Sequence, residues 1–216
     1  SGTDGDSNIL IRGNAIIENA ESKTGGAGIG SGQGFLYYDD DIEETIIDKT
    51  VGNVTIEGNA KIENAKSGYG GSGIGGAYGN GTVTVTDGDI TAKATGNYGA
   101  GIGGGYGAIP EDTLIGGNGT VTISGGTITE ASGGYMAAGI GSGLQGLGTV
   151  TIEGDAVIKN AQGGKAGAGI GSGTRGNSEI IIRGDAVIEN AESSANGAGI
   201  GSGQGFLYYD DDIEET

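Results

Sequence analysis

One phrase with three parts recurs six times along this chain, and each copy ends in a glycine-rich segment such as GAGIGSG. The isoleucine at the centre of that segment marks the copies, at Ile29, Ile74, Ile102, Ile140, Ile170 and Ile200. Successive isoleucines are 45, 28, 38, 30 and 30 residues apart. The unit is therefore about 29 residues long with two insertions, a repeat length that predicts stacked structural units.

Each part of the phrase predicts a short strand. In the first part, TVTI at 120–123, Val121 and Ile123 alternate with threonines, the period of two expected when one face of a strand is buried. Ile128 supplies an inward position in the second part, and Ile140 does so in the third. Turn residues such as Asp87-Gly88 separate the parts. The phrase therefore predicts three strands and two or three tight turns per copy.

One copy of the phrase is too small to bury its own apolar residues, whereas stacked copies bury a continuous core. We therefore predict an all-β fold: a right-handed parallel β-solenoid (β-helix) with three short strands per coil and about six coils. The coils are predicted to start near residues 7, 52, 81, 119, 148 and 178, and residues 1–216 to form a single solenoid domain. Stacking places the marker isoleucines in one ladder with a spacing of about 4.8 Å.

A second, longer period relates the two ends of the chain. Adding 171 to residues 1–45 gives residues 172–216 without a gap, and 36 of the 45 positions are identical. We interpret the chain as a section of a longer array with a 171-residue super-repeat. Because the strands of an end coil have unpaired edges, we also predict end-to-end self-association through the coil ends.

Charge and composition exclude several classes of function. The chain has 28 acidic and 10 basic residues, a net charge of −18, which repels nucleic-acid phosphates and anionic lipids. It has no Cys and no His, which removes thiolate metal sites and histidine acid–base chemistry. The three arginines, Arg12, Arg175 and Arg183, show no convergent site. We expect no nucleic-acid partner, no membrane insertion and no enzymatic activity.

The segments GAGIGGGYG (99–107) and GTVTISGGTIT (119–129) carry a resemblance to known repeats. They resemble the glycine-rich AGIGGG/TVTISGG repeats of secreted or wall-attached surface proteins of Gram-positive, often gut-dwelling, bacteria. More distantly, the chain is similar to the carbohydrate-binding right-handed β-helix family. The resemblance covers essentially all six coils. It implies an extracellular, cell-surface protein with a scaffold, adhesive or polysaccharide-binding role, and no catalytic residue carries over.

The segment FLYYDDDIEET, present at 35–45 and 206–216, is the strongest candidate for chemistry. Its acidic residues are candidate calcium ligands, because calcium binds six to eight oxygen atoms: Asp39, Asp40, Asp41, Glu43, Asp210, Asp211, Asp212 and Glu214. Its tyrosines offer flat apolar faces with polar tips to a sugar or a protein: Tyr37, Tyr38, Tyr208 and Tyr209. The alternative is an exposed, solvated acidic loop that keeps a glycine-rich fibre soluble.

Three functions remain open at the level of sequence. The first is a structural and adhesive repeat region of a bacterial extracellular surface protein or fibre, displaying the acidic tyrosine-rich loops to a polysaccharide or a host or cell-surface protein. The alternative is a calcium-assisted carbohydrate-binding module, with calcium as the one expected cofactor. A minor alternative is an ice-binding solenoid, from the outward threonines of segments such as Thr120–Val–Thr122.

Three smaller patterns carry expectations of their own. The DGDSN segment with Asp4, Asp6 and Asn8 resembles the start of a calcium loop, but its counterpart one super-repeat later begins with Arg175, so we interpret it as a turn. The asparagine of the recurring ENA or KNA motif, as in Asn64, is predicted to stack with its equivalents in other coils. The glycines of AGIG are predicted to face outward and to leave a bare strip of backbone for a partner, and the alternative is that they let the chain make tight corners.

Overall fold

The fold consists of three parallel sheets wound into six stacked coils. The computed structural model describes residues 5–33, 36–39, 44–47, 50–106 and 116–205, and these residues contain strands and turns but no helix. Neighbouring strands within each of the three sheets come from successive coils. The all-β, right-handed parallel β-solenoid with three strands per coil is confirmed. The coils are numbered 1 to 6 below in chain order.

Sheet A holds the first strand of each coil. Its strands are Ser7–Ile11, Thr50–Ile56, Gly79–Val85, Gly119–Ile123, Gly148–Ile152 and Ser178–Ile182. In coils 2 and 3 the strand begins two residues before the predicted starts of 52 and 81, because Thr50 and Val51 pair with Gly79 and Asn80. Val121 and Ile123 are buried as predicted and face the interior.

Sheet B holds the second part of each phrase, which in several coils is split into two short strands. Its strands are Ile16–Ile17, Ala20–Ser22, Lys61–Ser67, Asp89–Ala94, Thr127–Ser132, Val157–Ile158, Ala161–Gly163, Val187–Ile188 and Ala191–Ser193. The register shifts after Ile90, since coil 3 has one residue fewer there than coils 2 and 4. The buried isoleucines and alanines still align on both sides of this irregularity.

Sheet C consists of two-residue strands, each made of a marker isoleucine and the following glycine. These strands are Ile29–Gly30, Ile74–Gly75, Ile102–Gly103, Ile140–Gly141, Ile170–Gly171 and Ile200–Gly201. The isoleucines pair coil by coil, so the predicted ladder is confirmed. In every coil the N–H two residues before the isoleucine donates to the carbonyl two residues after it, as from Ala138 to Ser142. The segment is thus a tight turn with its isoleucine aimed into the core.

The prediction that the AGIG glycines form a bare outer strip is wrong. Gly139 and Gly141 are buried, because the tight turn presses their backbone against the next coil. Gly141 has a φ of +132°, which side chains with a Cβ rarely adopt, and a Cβ placed on it would overlap the carbonyl of Gly171. The glycines therefore permit close stacking of coils and leave no strip for a partner.

The core is one continuous cluster along the solenoid, and its exposure changes only at the end coils. Ile74, Ile102, Ile140 and Ile170 are fully buried. At coil 1 the marker isoleucine, Ile29, is 6% exposed because coil 2 covers it, whereas Ile200 in coil 6 is 46% exposed. Apolar burial of this kind is the main stabilising contribution, about 25 cal/mol for each Å².

Two paired strands flank the acidic run of the first FLYYDDDIEET segment, and Asp40, Asp41 and Glu43 of the predicted loop lie outside the described residues. Leu36–Asp39 pairs in antiparallel fashion with Glu44–Ile47. Aromatic and β-branched residues are good strand formers, so pairing these two runs satisfies backbone groups that a loop would leave to water. The hairpin lies between coils 1 and 2, and the isoleucine ladder continues across it from Ile29 to Ile74.

One of the smaller predictions is confirmed. The Asn64 side chain donates its amide N–H to Asn19 over 2.7 Å, and Asn190 donates to Asn160 over 2.9 Å, which gives the expected stacked amides. Within DGDSN, the Asp6 carboxylate accepts the backbone N–H of Val51 over 2.6 Å, which ties coil 1 to coil 2, and the interpretation of this segment as a turn stays a prediction. Within the described residues, no helix is long and apolar enough to cross a membrane.

Candidate functional site

Most of the predicted site residues lie outside the part of the chain that the structure describes. Tyr37, Tyr38 and Asp39 belong to the first hairpin strand, where they pair with Ile46, Thr45 and Glu44. The remaining candidates lie outside the described residues: Asp40, Asp41, Glu43, Tyr208, Tyr209, Asp210, Asp211, Asp212 and Glu214. Elsewhere, among the described residues, no group of three or more acidic side chains converges to hold a metal ion. Calcium binding by this segment stays a prediction.

A cluster of four tyrosines on coils 2 and 3 was missed by the sequence reasoning. It is named the tyrosine cluster here and consists of Tyr69, Tyr78, Tyr98 and Tyr106. The rings of Tyr69 and Tyr98 meet edge to face with centroids 5.3 Å apart, and those of Tyr78 and Tyr106 do so at 5.5 Å. Tyr98 and Tyr106 join the two pairs at 4.6 Å. The cluster is thus one connected aromatic surface.

Glycines make room for these rings against the backbone. A Cβ on Gly70 would lie 2.9 Å from Cε2 of Tyr78, and one on Gly25 would lie 2.6 Å from the same atom. The Tyr78 ring therefore rests on bare backbone from two coils. The Tyr106 backbone N–H of coil 3 donates to the Gly70 carbonyl of coil 2 over 2.7 Å. This bond joins the segment before the marker isoleucine of coil 2 to the segment after the marker isoleucine of coil 3. Only the glycine-rich turns allow aromatic side chains from both segments to meet.

A sequence signal for the cluster exists. Tyr78 and Tyr106 each lie four residues after a marker isoleucine, Ile74 and Ile102, in successive coils. Tyrosines at one register position in neighbouring coils are expected to stack, in the same way as the isoleucines. The remaining pair, Tyr69 and Tyr98, differs by one position relative to its isoleucines, so its contact could not be read from the repeat alone.

The cluster changes the acidity of its own hydroxyl groups. Burial raises the pKa of Tyr78 and of Tyr106, with nearby tyrosines adding to the effect. The pKa of Tyr98 is raised chiefly by its hydrogen bond with the Tyr69 side chain, and burial contributes further. All three groups thus hold their protons more tightly in the folded chain than in the unfolded chain.

We therefore predict a loss of stability in alkaline solution. Above the ordinary tyrosine pKa of 10.0 the unfolded chain releases these protons first, so the free energy of unfolding falls as the pH rises through the higher folded values. Chemical denaturation at several pH values from 9 upward (about 9 to 12 covers the tyrosine range) measures the effect. The Tyr78→Phe/Tyr106→Phe variant should show a shallower fall. An equally steep fall in that variant would contradict the assignment.

A shallow groove lies beyond the cluster, on coils 4 to 6. Its volume is about 310 Å³, and its polar lining includes Tyr135, Lys165, Arg175, Asn196 and Gln204. The Lys165 ammonium lies 5.5 Å from the centroid of the Tyr135 ring, a cation–π distance. The Tyr135 side is open, since that residue is 47% exposed. The groove therefore combines an aromatic face with cationic and amide donors, in a chain that is otherwise strongly acidic.

The outward threonines of sheet A align as predicted in the middle coils. Thr82, Thr120 and Thr149 pair in one register position. At the neighbouring coils that position holds Asn53 and Glu179. The threonine array thus extends over three coils. Ice binding stays a prediction, and this short array is its support.

One comparison with known proteins gives a match. The model of a family described as Beta helix repeat matches residues 121–144, which span the sheet A, B and C strands of coil 4. No curated protein and no solved structure matches the chain. Together with the six in-register coils, the match makes this chain a repeat solenoid protein that is similar to β-helix repeats.

Proposed function

We propose that this chain is a rod-forming, adhesive section of a bacterial extracellular surface protein, which displays inserted segments from a rigid solenoid. One observation carries the proposal: insertions between coils leave the register of the core ladders unchanged. Ile29 pairs with Ile74 and Ile102 pairs with Ile140, although 45 and 38 residues separate them instead of about 29. Extra residues can therefore be added at the turns without a change in coil register.

The inserted segments carry side chains that are suited to contact with a partner. The first carries the tyrosine-rich acidic hairpin, and FLYYDDDIEET returns after 171 residues. Five coils advance about 24 Å at ordinary strand spacing, so segments displayed once per 171 residues would be repeated at a distance that suits multivalent contact. The resemblance to Gram-positive surface repeats supports the extracellular location.

Surface labelling tests this proposal. An antiserum raised against the purified chain is expected to label intact cells of the source organism, and shaving these cells with a protease is expected to remove the label. Antibodies against a ribosomal protein serve as the control for cell integrity. Labelling that appears only after the cells are lysed would contradict an extracellular role.

A second candidate, carbohydrate binding, is favoured by the tyrosine cluster and the neighbouring groove. Tyr69 and Tyr135 are 52% and 47% exposed, and flat aromatic faces with polar tips are suited to sugar rings. On a glycan array we expect binding that weakens at least about tenfold, about 1.4 kcal/mol, in the Tyr69→Ala/Tyr135→Ala variant. The Leu10→Ala variant is a matched control, because Leu10 is as exposed but lies on sheet A. An unaltered profile in the tyrosine variant would count against this surface.

The hairpin is the other proposed sugar contact, and calcium is its proposed cofactor. If Asp39 to Asp41 and Glu43 bind calcium, the ion stabilises the folded state by mass action, so Tm is expected to rise in millimolar calcium relative to chelator. The Asp39→Asn/Asp40→Asn/Asp41→Asn variant should lose that difference. A Tm that is equal in calcium and in chelator would sink the calcium proposal, and binding lost in a variant with Tyr37, Tyr38, Tyr208 and Tyr209 changed to Ala would place the sugar there.

A further inference from the structure

The side chains that coil 2 covers on coil 1 recur in coil 6, on the face that points away from coil 5. Because of the 171-residue repeat, Ile182 and Ile200 are the equivalents of Ile11 and Ile29. Ile11 and Ile29 are each 6% exposed, whereas Ile182 and Ile200 are 41% and 46% exposed. The chain thus shows one apolar face twice, covered in coil 1 and uncovered in coil 6. The uncovered copy is named the coil-6 face.

The backbone of coil 6 is also unpaired on this face. In coil 1 the N–H groups of Gly28, Ile29 and Ser31 donate to coil 2 carbonyls over 3.0–3.1 Å. The equivalent N–H groups of Gly199, Ile200 and Ser202 find no such carbonyl within the described residues. Three unpaired donors in a row beside exposed isoleucines form a template for another parallel coil.

Side chains on the covered copy show what kind of coil fits. On coil 1 the covering residues are the apolar Val54, Ile56 and Ile62, opposite Ile9, Ile11 and Ile17. The Asn19 side-chain oxygen accepts an N–H from Asn64, and the equivalent of Asn19 in coil 6 is Asn190, whose own N–H donates to Asn160 of coil 5. A coil that covers coil 6 therefore needs apolar residues at these three positions and an amide at the fourth.

Charge distinguishes between the coils available in this chain. Glu21 lies opposite Lys66 of coil 2 in the register of sheet B. Arg12 directly follows Ile11, which is paired with Ile56, and Glu57 directly follows Ile56. The position of Arg12 accepts an acidic neighbour elsewhere too, since Arg183 forms an ion pair of 2.6 Å with Glu153 of coil 5. A coil of the coil 2 type thus places opposite charges over Arg183 and Glu192 of coil 6, although its Glu63 would lie over Glu189.

Coil 1 of a second copy would place like charges there instead. Because coil 6 repeats coil 1, Arg183 would face Arg12 and Glu192 would face Glu21. Glu189 would also face Glu18, but a coil of the coil 2 type places Glu63 at the same position, so this contact does not distinguish the two coils. Like charges directly opposite each other in a sheet are destabilising. Simple head-to-tail stacking of two identical chains is thus opposed at two positions, those of Arg183 and Glu192, where a coil of the coil 2 type brings opposite charges.

We propose that the coil-6 face is an interface for a further coil with the sequence character of residues 50–78, and that it rejects coil 1 of a second copy. This inference rests on the proposed rod function and specifies how the rod is extended. It narrows end-to-end assembly to one partner type.

An extended chain tests the interface directly. A second copy of residues 46–106 is joined after Thr216, which continues the 171-residue register. Amide hydrogen exchange at Gly199, Ile200 and Ser202 is expected to slow at least about tenfold, as an end coil becomes an interior one. The control extension has the second copies of Val54 and Ile62 changed to Asp and should give no slowing. Unchanged exchange with the unaltered extension would overturn the proposal.

Sedimentation of the unextended chain tests the rejection of coil 1 and does not depend on the extension. The chain is expected to stay monomeric, whereas the Glu189→Lys/Glu192→Lys variant, which faces Glu18 and Glu21 with opposite charge, should self-associate. Dimers of the unaltered chain that protect Ile200 would overturn the proposal in favour of a second copy as the occupant. Both readouts are independent of cell labelling, so a failed surface role and a failed interface are distinguishable.

Discussion

Replacing Gly141 by alanine is expected to lower the free energy of unfolding by at least about 3 kcal/mol, a large part of the 5–15 kcal/mol typical of a domain. Two causes add. The φ of +132° is strained for any residue with a Cβ, and that Cβ would overlap the Gly171 carbonyl, so two coils must separate. Equilibrium unfolding in urea, followed by circular dichroism, measures the change.

Gly205 provides the matched control for this substitution. A Cβ there would meet no atom of the described residues within 4 Å. Gly205→Ala is therefore expected to change the free energy of unfolding by less than about 0.5 kcal/mol. Equal effects of the two substitutions would mean that the glycines of the sheet C turns are not required for coil stacking.

Truncation of one marker isoleucine should have a comparable effect. Ile102 is fully buried between Ile74 and Ile140, so Ile102→Ala removes apolar contacts and leaves a cavity in the core. Such substitutions cost about 2–5 kcal/mol. The same urea titration measures the loss, which should appear as a lower midpoint.

The repeat supplies a control at the end of the same ladder. Ile200 is chemically identical and equivalently placed but 46% exposed, so Ile200→Ala should cost less than about half as much. A cost for Ile200→Ala equal to that for Ile102→Ala would show that the isoleucines do not form one ladder with an open end.

The parts of the fold that depend on local period were predictable from the sequence. The alternation in TVTI places Val121 and Ile123 inside without knowledge of any other coil, and the register of the isoleucine ladder follows from the repeat itself. The indifference of that register to insertions also follows, because each coil supplies its own turn residues.

The features that depend on the sign of a backbone φ angle and on contacts between coils were not predictable from the sequence. Period alone places the glycines of AGIG outward, but the hydrogen bond from Ala138 to Ser142 folds them into a tight turn with positive φ at Gly141. The tyrosine cluster needs Tyr78 to lie across Gly25 and Gly70, which are 53 and 8 residues away in the sequence. The pairing of Leu36–Asp39 with Glu44–Ile47 was not predicted either, because these residues belong to an insertion that the other coils lack.

The stacking of coils at one regular step is most directly tested by electron–electron distances between paired spin labels. The chain has no cysteine, so labels can be placed on outward-facing sheet A residues of one ladder, with Ile181 of coil 6 paired in turn with Leu10 of coil 1 and Thr55 of coil 2. Five and four coil steps predict narrow distributions whose means differ by about 4.8 Å, near 24 and 19 Å before the label length is added. Broad distributions, or equal means for the two pairs, would contradict the stacked solenoid.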